Sequence, residues 1–430
     1  MKSIIVLSIL SLLILTQVIN GENIHEFLEK CLKKRVLEYT LRPLTKPGDN
    51  FKATIQSLEV KLLKSNDSNE IETRQLVYKM PLTGVNNAQK IKIFVYEINF
   101  YTEIIPAIER FAATLPTAER NDIFVRFLGS RLSSDSNAKN IDSNAAILLE
   151  NIKSLGYVGS KSSIESTLWN NFETDEIMAI LKSLAYFHAL GIGIRRLQPS
   201  VFYSKVDPYL HRFCETCNIE KDIKRVDKLV NQLRSTFPKM TRGMQNTIRN
   251  QLNDAKNFYL KTERSQDTPY TTISHNDLWS MNIMFKRDKT AKKSIQVKLL
   301  DFQMCGYESF ALDLMFLLLF NAPIEDLRMN FKSFIEYYHS EFVKTLRLVN
   351  CSHDDYTFEK MWNEIKGKAK ISLFKLYLFL GRDKINTLQM NSTVANPNPD
   401  FYLEQPTPQN IINRWQCIND VYIANGLLWK

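Results

Sequence analysis

The stretch Ser274-His275-Asn276-Asp277-Leu278-Trp279-Ser280-Met281-Asn282, followed by a hairpin ending in Leu300-Asp301-Phe302-Gln303, restricts this chain more than any other segment. It has the form H-x-D-x-x-x-x-N, with a second acidic residue arriving at the end of the next strand. A lone H-x-D triplet occurs by chance, whereas the loop, its asparagine and a strand-end Asp-Phe-Gln together are a specific signal. The pattern suits phosphoryl transfer from ATP, which asks a protein for positioning, magnesium and charge stabilisation rather than covalent chemistry. On this reading Asp277 orients and deprotonates an acceptor hydroxyl, while Asn282 and Asp301 offer oxygen ligands to magnesium. The competing reading is an ordinary polar loop in which Asp301 caps a helix.

The first third of the chain supplies partners for such a loop. Residues 53–63 and 71–80 read as strands split by the turn-rich Asn66-Asp67-Ser68-Asn69, and residues 145–150 as a short apolar strand. A helix is predicted around 97–110, with Tyr101, Ile104, Ile105 and Ile108 at helical spacing. Lys79, ending Leu76-Val77-Tyr78-Lys79, is placed to reach nucleotide phosphates, and Glu97 on the following helix to hold that lysine by an ion pair.

Upstream, residues 24–41 read as a helix broken by Pro43, Pro47 and Gly48. From about residue 160 the pattern turns helical. One helix is predicted over 175–190, stopping at Gly191, and a long amphipathic one over 223–261 with a break at Pro238. Short strands follow at 283–285 and 295–302, then apolar helices at 312–320, 331–348 and 371–380. The predicted fold is α+β and two-lobed, protein-kinase-like, with a small β-rich N-lobe over 48–152 and a larger, mostly helical C-lobe over 153–430. A helical extension (22–47) and a leader (1–21) precede them.

Net charge is +10, from 56 Lys and Arg against 46 Asp and Glu, but the basic residues are scattered rather than grouped into the stripe that nucleic-acid binders show. Six cysteines in 430 residues make no disulfide scaffold. Cys214 and Cys217 form a lone C-x-x-C without the second ligand pair of a zinc site, and read as incidental or as one local disulfide. Lys2, the apolar run 4–15 and Gly21 follow the order of a secretory signal, so a mature chain starting near Glu22 in the secretory pathway is the first expectation and a cytoplasmic protein the second. No later run is apolar for the roughly 18 residues of a membrane span. The sequons at Asn66, Asn350 and Asn391 are near the chance level.

With these parts in view, the chain resembles the ecdysteroid kinase-like (CHK kinase-like) family, related to choline and aminoglycoside kinases. The resemblance is carried by Gly48-Asp49-Asn50-Phe51, Val77-Tyr78-Lys79-Met80-Pro81, Glu97-Ile98-Asn99-Phe100-Tyr101, Leu148-Leu149-Glu150-Asn151 and Leu184-Ala185-Tyr186-Phe187-His188-Ala189. The segment from His275 to Phe285 and that from Leu300 through Asp313-Leu314 complete it. It implies an ATP- and magnesium-dependent phosphotransferase acting on a small-molecule hydroxyl, with a steroid or other lipophilic alcohol as the suggested acceptor. By the same resemblance Lys79 contacts the phosphates, Glu97 pairs with it, Asp277 is the base, and Asn282 and Asp301 are the metal ligands. Glu150 and Asn151 lie at a hinge that reads adenine, and Gly48, Asp49 and Asn50 begin the loop over the phosphates. His275 braces the catalytic loop, Asp313 ties down the loop after the metal site, and His188 serves packing and hydrogen bonding. Three departures stand out: the phosphate loop has one glycine with Ala53 in place of a small hydroxyl residue, His-Asn-Asp replaces the commoner His-Gly-Asp, and a secretory leader precedes the match. Gln303, where a protein kinase has glycine, argues against that class. The alternative function is a secreted, catalytically idle relative that binds a hydrophobic ligand.

Overall fold

The computed structural model describes residues 24–44, 53–64, 69–82, 88–135, 138–159, 172–211, 219–236, 246, 250, 253–254, 268–288, 295–390 and 399–427. The leader, the Gly48-Asp49-Asn50 segment, Asn66, Asn391, Pro238, Cys214 and Cys217 lie outside these residues. The chain divides into two compact units, one of residues 1–98 and 125–156, the other of residues 99–124 and 157–430.

In the first unit, helix α1 (24–32) precedes strands β1 (Val36–Pro43), β2 (Ala53–Leu63) and β3 (Ile71–Pro81). Helix α2 (Ala88–Asn99), β4 (Phe127–Arg131) and β5 (Ala146–Glu150) follow. The strands form an antiparallel sheet in the order β1-β2-β3-β5-β4. Alternate residues Leu58, Val60 and Leu62 of β2 and Leu76 and Tyr78 of β3 face one side, where Phe27, Leu28 and Leu32 of α1 bury them. The helix expected over 24–41 therefore ends early. Lys33 takes a positive φ of 53°, which stops it, and residues 36–43 gain more as an edge strand paired with β2. The helix expected over 97–110 begins instead at Ala88, because Ile93, Phe94 and Ile98 extend its buried stripe. Strand β4 was not predicted; its Phe-Leu-Gly-Ser-Arg sequence is half-buried throughout and lacks the alternation that marks a strand.

In the second unit a π-helical turn (Phe100–Ile104) leads into α3 (Ile105–Ala112). Then come α4 (Thr174–Leu197), α5 (Ile219–Thr236), and β6 (Thr271–Ser274), β7 (Ile283–Arg287), β8 (Ile295–Leu299) and β9 (Gly306–Ser309), paired β6 with β9 and β7 with β8. Helices α6 (Phe310–Asn321), α7 (Ile324–Leu348), α8 (Phe358–Met390), α9 (Pro399–Glu404) and α10 (Gln409–Ala424) complete it. Of the helix predicted over 223–261, α5 covers the first part to Thr236. Every residue of α6 is buried, and its sequence Phe-Ala-Leu-Asp-Leu-Met-Phe-Leu-Leu-Leu-Phe-Asn contains two polar side chains, Asp313 and Asn321.

Helix α4 passes Gly191, where it was expected to stop, and ends at Leu197. The glycine is there for space. A Cβ at Gly191 would lie 2.5 Å from Thr272 Oγ1 and 3.1 Å from the Ile273 backbone nitrogen, so the missing side chain lets α4 lie against β6. Helix α4 is long and apolar enough to cross a bilayer, but most of it is buried within the protein.

These contacts set opposite outcomes for two glycine substitutions. Gly191→Ala is expected to destabilise by about 1–3 kcal/mol through overpacking. Gly367→Ala, at an exposed position of α8 with nothing near its Cβ position, is expected to stabilise by about 0.5–1 kcal/mol. Urea unfolding of both variants checks the pair; equal shifts for the two would contradict the packing account.

Candidate active site

Strand β6 delivers the chain to His275, and α6 holds it there. The Asp313 carboxylate accepts the His275 N–H at 2.6 Å with one oxygen and the Asn276 N–H at 2.8 Å with the other. His188 Nε2 lies 3.2 Å from Asp313 Oδ2, and its Nδ1 lies 2.7 Å from the Tyr338 hydroxyl of α7. At the far end of α6, Asn321 donates its amide to the Leu278 carbonyl at 2.9 Å. Both polar residues of an otherwise apolar helix are thus bonded to the backbone flanking Asp277.

Burial pushes the Asp313 carboxyl up, but the hydrogen bond and charge of His188 and the charge of Lys375 outweigh it and bring its pKa down to about 2. His275 is fully enclosed, and that burial holds its pKa below the ordinary histidine value, so the ring is neutral. One tautomer satisfies both nitrogens: Nε2–H donates to the Leu300 carbonyl at 2.9 Å, and Nδ1 accepts the Asp277 N–H at 3.3 Å.

Asn282 ends the loop with its amide nitrogen donating to the Asp277 carbonyl at 2.9 Å, which leaves Oδ1 as the oxygen for a ligand. The Leu300 N–H donates to the Asn282 carbonyl at 2.9 Å, and Ile283 pairs with Leu299, so the β7–β8 hairpin brings Asn282 beside the segment that carries Asp301. Asp301 adopts a left-handed φ of 62°, a conformation disfavoured for a residue with a side chain and concentrated at functional sites. Gln303 donates to Asp301 Oδ2 at 2.8 Å, which gives the unexpected glutamine a role in orienting the carboxylate. Phe302 stacks on Phe100 with ring centroids 4.4 Å apart and packs against His275 at 5.1 Å.

Asn282 and Asp301 offer only oxygen, and among the described residues no three His, Cys, Asp or Glu side chains gather as a metal cluster. That donor set fits magnesium, a hard cation that keeps several waters and takes few protein ligands.

In the first unit Lys79 of β3 and Glu97 of α2 form a buried ion pair, with Nζ–O distances of 2.8 and 2.6 Å and exposures of 4% and 1%. Removing one partner of such a pair strands a buried charge, so the lysine is fixed in place. At the end of β5 the Glu150 N–H donates to the Arg126 carbonyl at 3.0 Å and the Asn151 N–H to the Gln75 carbonyl at 3.1 Å. Both donors are committed within this unit. Ala53 is buried at the start of β2. Cys31, Cys305, Cys351 and Cys417 are free thiols.

Sequence reasoning missed Asn321, Tyr338 and Lys375. Asn321 and Lys375 carried a readable signal, each being a polar residue inside an apolar run. Tyr338 carried none, because an amphipathic helix buries tyrosines for packing alone.

A sequence model of the ecdysteroid kinase-like family matches residues 47–351, more than half of the chain. The chain belongs to the ecdysteroid kinase-like family. Family membership supports a small-molecule kinase. No functionally curated protein sequence matches it. Among solved structures, it is similar to a Plasmodium vivax ethanolamine kinase at 11% identity, with 89% of this chain and 81% of that one covered and a TM-score of 0.40. The choline kinase LicA from Streptococcus pneumoniae is 11% identical over 94% of this chain and 99% of that one, with a TM-score of 0.38. The GDP complex of aminoglycoside 2'-phosphotransferase-IIIa is 12% identical over 90% of this chain and 93% of that one, also at 0.38.

The Asp313 carboxylate carries a pH signature. Its folded pKa of about 2 lies below the ordinary 3.8, so its contribution is full above pH 4 and lost as pH falls toward 2. That contribution is about 2 kcal/mol. Urea unfolding of wild type and Asp313→Asn from pH 5 to pH 2 should show the variant lacking this part of the acid-side loss. Parallel slopes would contradict the assignment.

Proposed function

We propose that this protein transfers the terminal phosphoryl group of ATP, with magnesium, to the hydroxyl of a small lipophilic alcohol such as a steroid. The observation that carries this reading is the immobilised loop around Asp277. Its amide nitrogen bonds to the His275 ring, its carbonyl to Asn282, and its neighbours to Asp313 and Asn321. A loop so restrained presents one carboxylate in one direction, which is what a positioned base requires.

In the proposed reaction Asp277 orients the acceptor hydroxyl and takes its proton as the oxygen attacks the terminal phosphorus, whose bond to the bridging oxygen breaks so that ADP leaves. His275 does not compete for that proton, since both ring nitrogens are engaged and burial keeps the ring neutral. Asn282 through Oδ1 and Asp301 through its carboxylate would hold magnesium, with Gln303 and the left-handed backbone of Asp301 fixing the latter. Bound ATP supplies the phosphoryl group, and magnesium neutralises charge on its oxygens. Lys79, held by Glu97, would lie on the phosphates and offset negative charge there. The acceptor class is suggested by the family description alone.

Two substitutions separate the roles. Asp301→Asn is expected to abolish magnesium-dependent ATP binding and turnover together. Asp277→Asn is expected to leave ATP binding nearly unchanged while turnover falls about 10²–10⁴-fold. Calorimetric titration with ATP and magnesium, beside an ADP-release assay, reads both. Loss of ATP binding in Asp277→Asn as complete as in Asp301→Asn would show the assignment of base and metal ligand to be wrong. Absence of ATP binding in the wild type would favour the idle, ligand-binding alternative.

A further inference from the structure

We propose that Lys375 is a positioning residue for the catalytic loop and acts through the side chain of Asn276. Lys375 lies in α8, beyond the segment that the family model matches. It is 5% exposed and is the charged residue of the apolar run Ile371-Ser372-Leu373-Phe374-Lys375-Leu376-Tyr377-Leu378. A buried ammonium is costly unless it meets an oxygen or an anion. Among the described residues, Lys375 Nζ makes one hydrogen bond, to Asn276 Oδ1 at 3.3 Å, and sits 5.1 Å from the centre of the Phe316 ring.

Asn276 immediately precedes Asp277 and has a left-handed φ of 65°. Asparagine tolerates that conformation better than most residues with a side chain, and glycine tolerates it best. Glycine would give the backbone shape alone. Asparagine also gives an amide with two different ends, and here both are used. Nδ2 donates to the Met304 carbonyl at 3.3 Å, while Oδ1 accepts from Lys375. The orientation is dictated by chemistry, because a carbonyl only accepts and an ammonium only donates. The side chain therefore ties three segments together: the loop of the proposed base, the chain just after Asp301, and α8. Gly306 leaves the space this needs, since a Cβ there would lie 3.0 Å from Asn276 Nδ2.

Lys375 thus holds the amide end whose other end grips the metal-side loop, and fixes the backbone from which Asp277 projects. The catalytic consequence rests on reading Asp277 as the base; the coupling between Lys375 and Asn276 does not.

A double-mutant cycle on Lys375→Met and Asn276→Gly tests this with two readouts. The methionine fills the lysine's volume, and the glycine keeps the positive φ. The first readout is deuterium exchange of backbone amides over 274–282 in the nucleotide-free protein. Each single variant is expected to speed exchange there about tenfold, and the double variant no further than the larger single effect, as coupled residues behave. Gly306→Ala should raise exchange in the same segment. The second readout is ATP hydrolysis with water as acceptor. The turnover number should fall on the order of 10- to 100-fold in each single variant with KM for ATP unchanged, again without addition in the double. Multiplicative effects, or exchange unaltered by Lys375→Met, would overturn the coupling. Coupled exchange with undiminished turnover would overturn the positioning role. Wild type that hydrolyses no ATP would sink the phosphotransfer reading, and the exchange cycle would still decide whether Lys375 acts through Asn276.

Discussion

A carboxylate enclosed in an apolar helix must find its donors inside the protein, and Asp313 finds them on the loop it supports. Two consecutive backbone N–H groups, those of His275 and Asn276, point at its two oxygens. His188 closes the third side. Successive N–H groups aimed at one anion require an unusual backbone path, which is why Asn276 is left-handed and why the chain turns sharply before Asp277. Much else follows from this contact. The His275 ring can reach the Leu300 carbonyl, Phe302 can pack against that ring, and the segment after β8 is brought back beside the loop.

The loops concentrate negative charge: Asp277, Asp301 and Asp313 lie on or against them, and Glu308 stands nearby with burial raising its carboxyl pKa. His188 and Lys375 supply positive charge beside Asp313 within this group, while His275 is kept neutral by burial. Such a balance leaves the group short of positive charge. That is the condition under which oxygen donors such as Asn282 Oδ1 and the Asp301 carboxylate gain most from a magnesium ion.

The sequence pointed to the residues of the candidate site more directly than to the boundaries of the elements around it. The residues of the H-x-D-x-x-x-x-N loop and Asp301 are local in the chain, so their order alone defines a pattern. Lys79 and Glu97 are separated by one connection, and their pairing follows from a strand and the helix after it. Residues that act on the loop from a distance were harder to see. Asn321 and Lys375 reach it from helices later in the chain, and only their polarity within apolar runs hinted at a task. Element boundaries failed where tertiary contacts overrode local preference. Gly191 looked like a helix stop but is a site of close approach to β6, and residues 36–43 left a helix-like segment to complete a sheet edge.

The proposed function requires ATP with magnesium to bind the loops around Asn282 and Asp301 and to engage Lys79. Deuterium exchange of the full-length protein, with and without ATP and magnesium, tests it without needing the acceptor. The account predicts slowed exchange in three places: residues 275–282, residues 300–304, and the end of β3 around Lys79, with EDTA reversing the protection of the first two. Protection that spares these three segments, or no change at saturating ATP and magnesium, would contradict it.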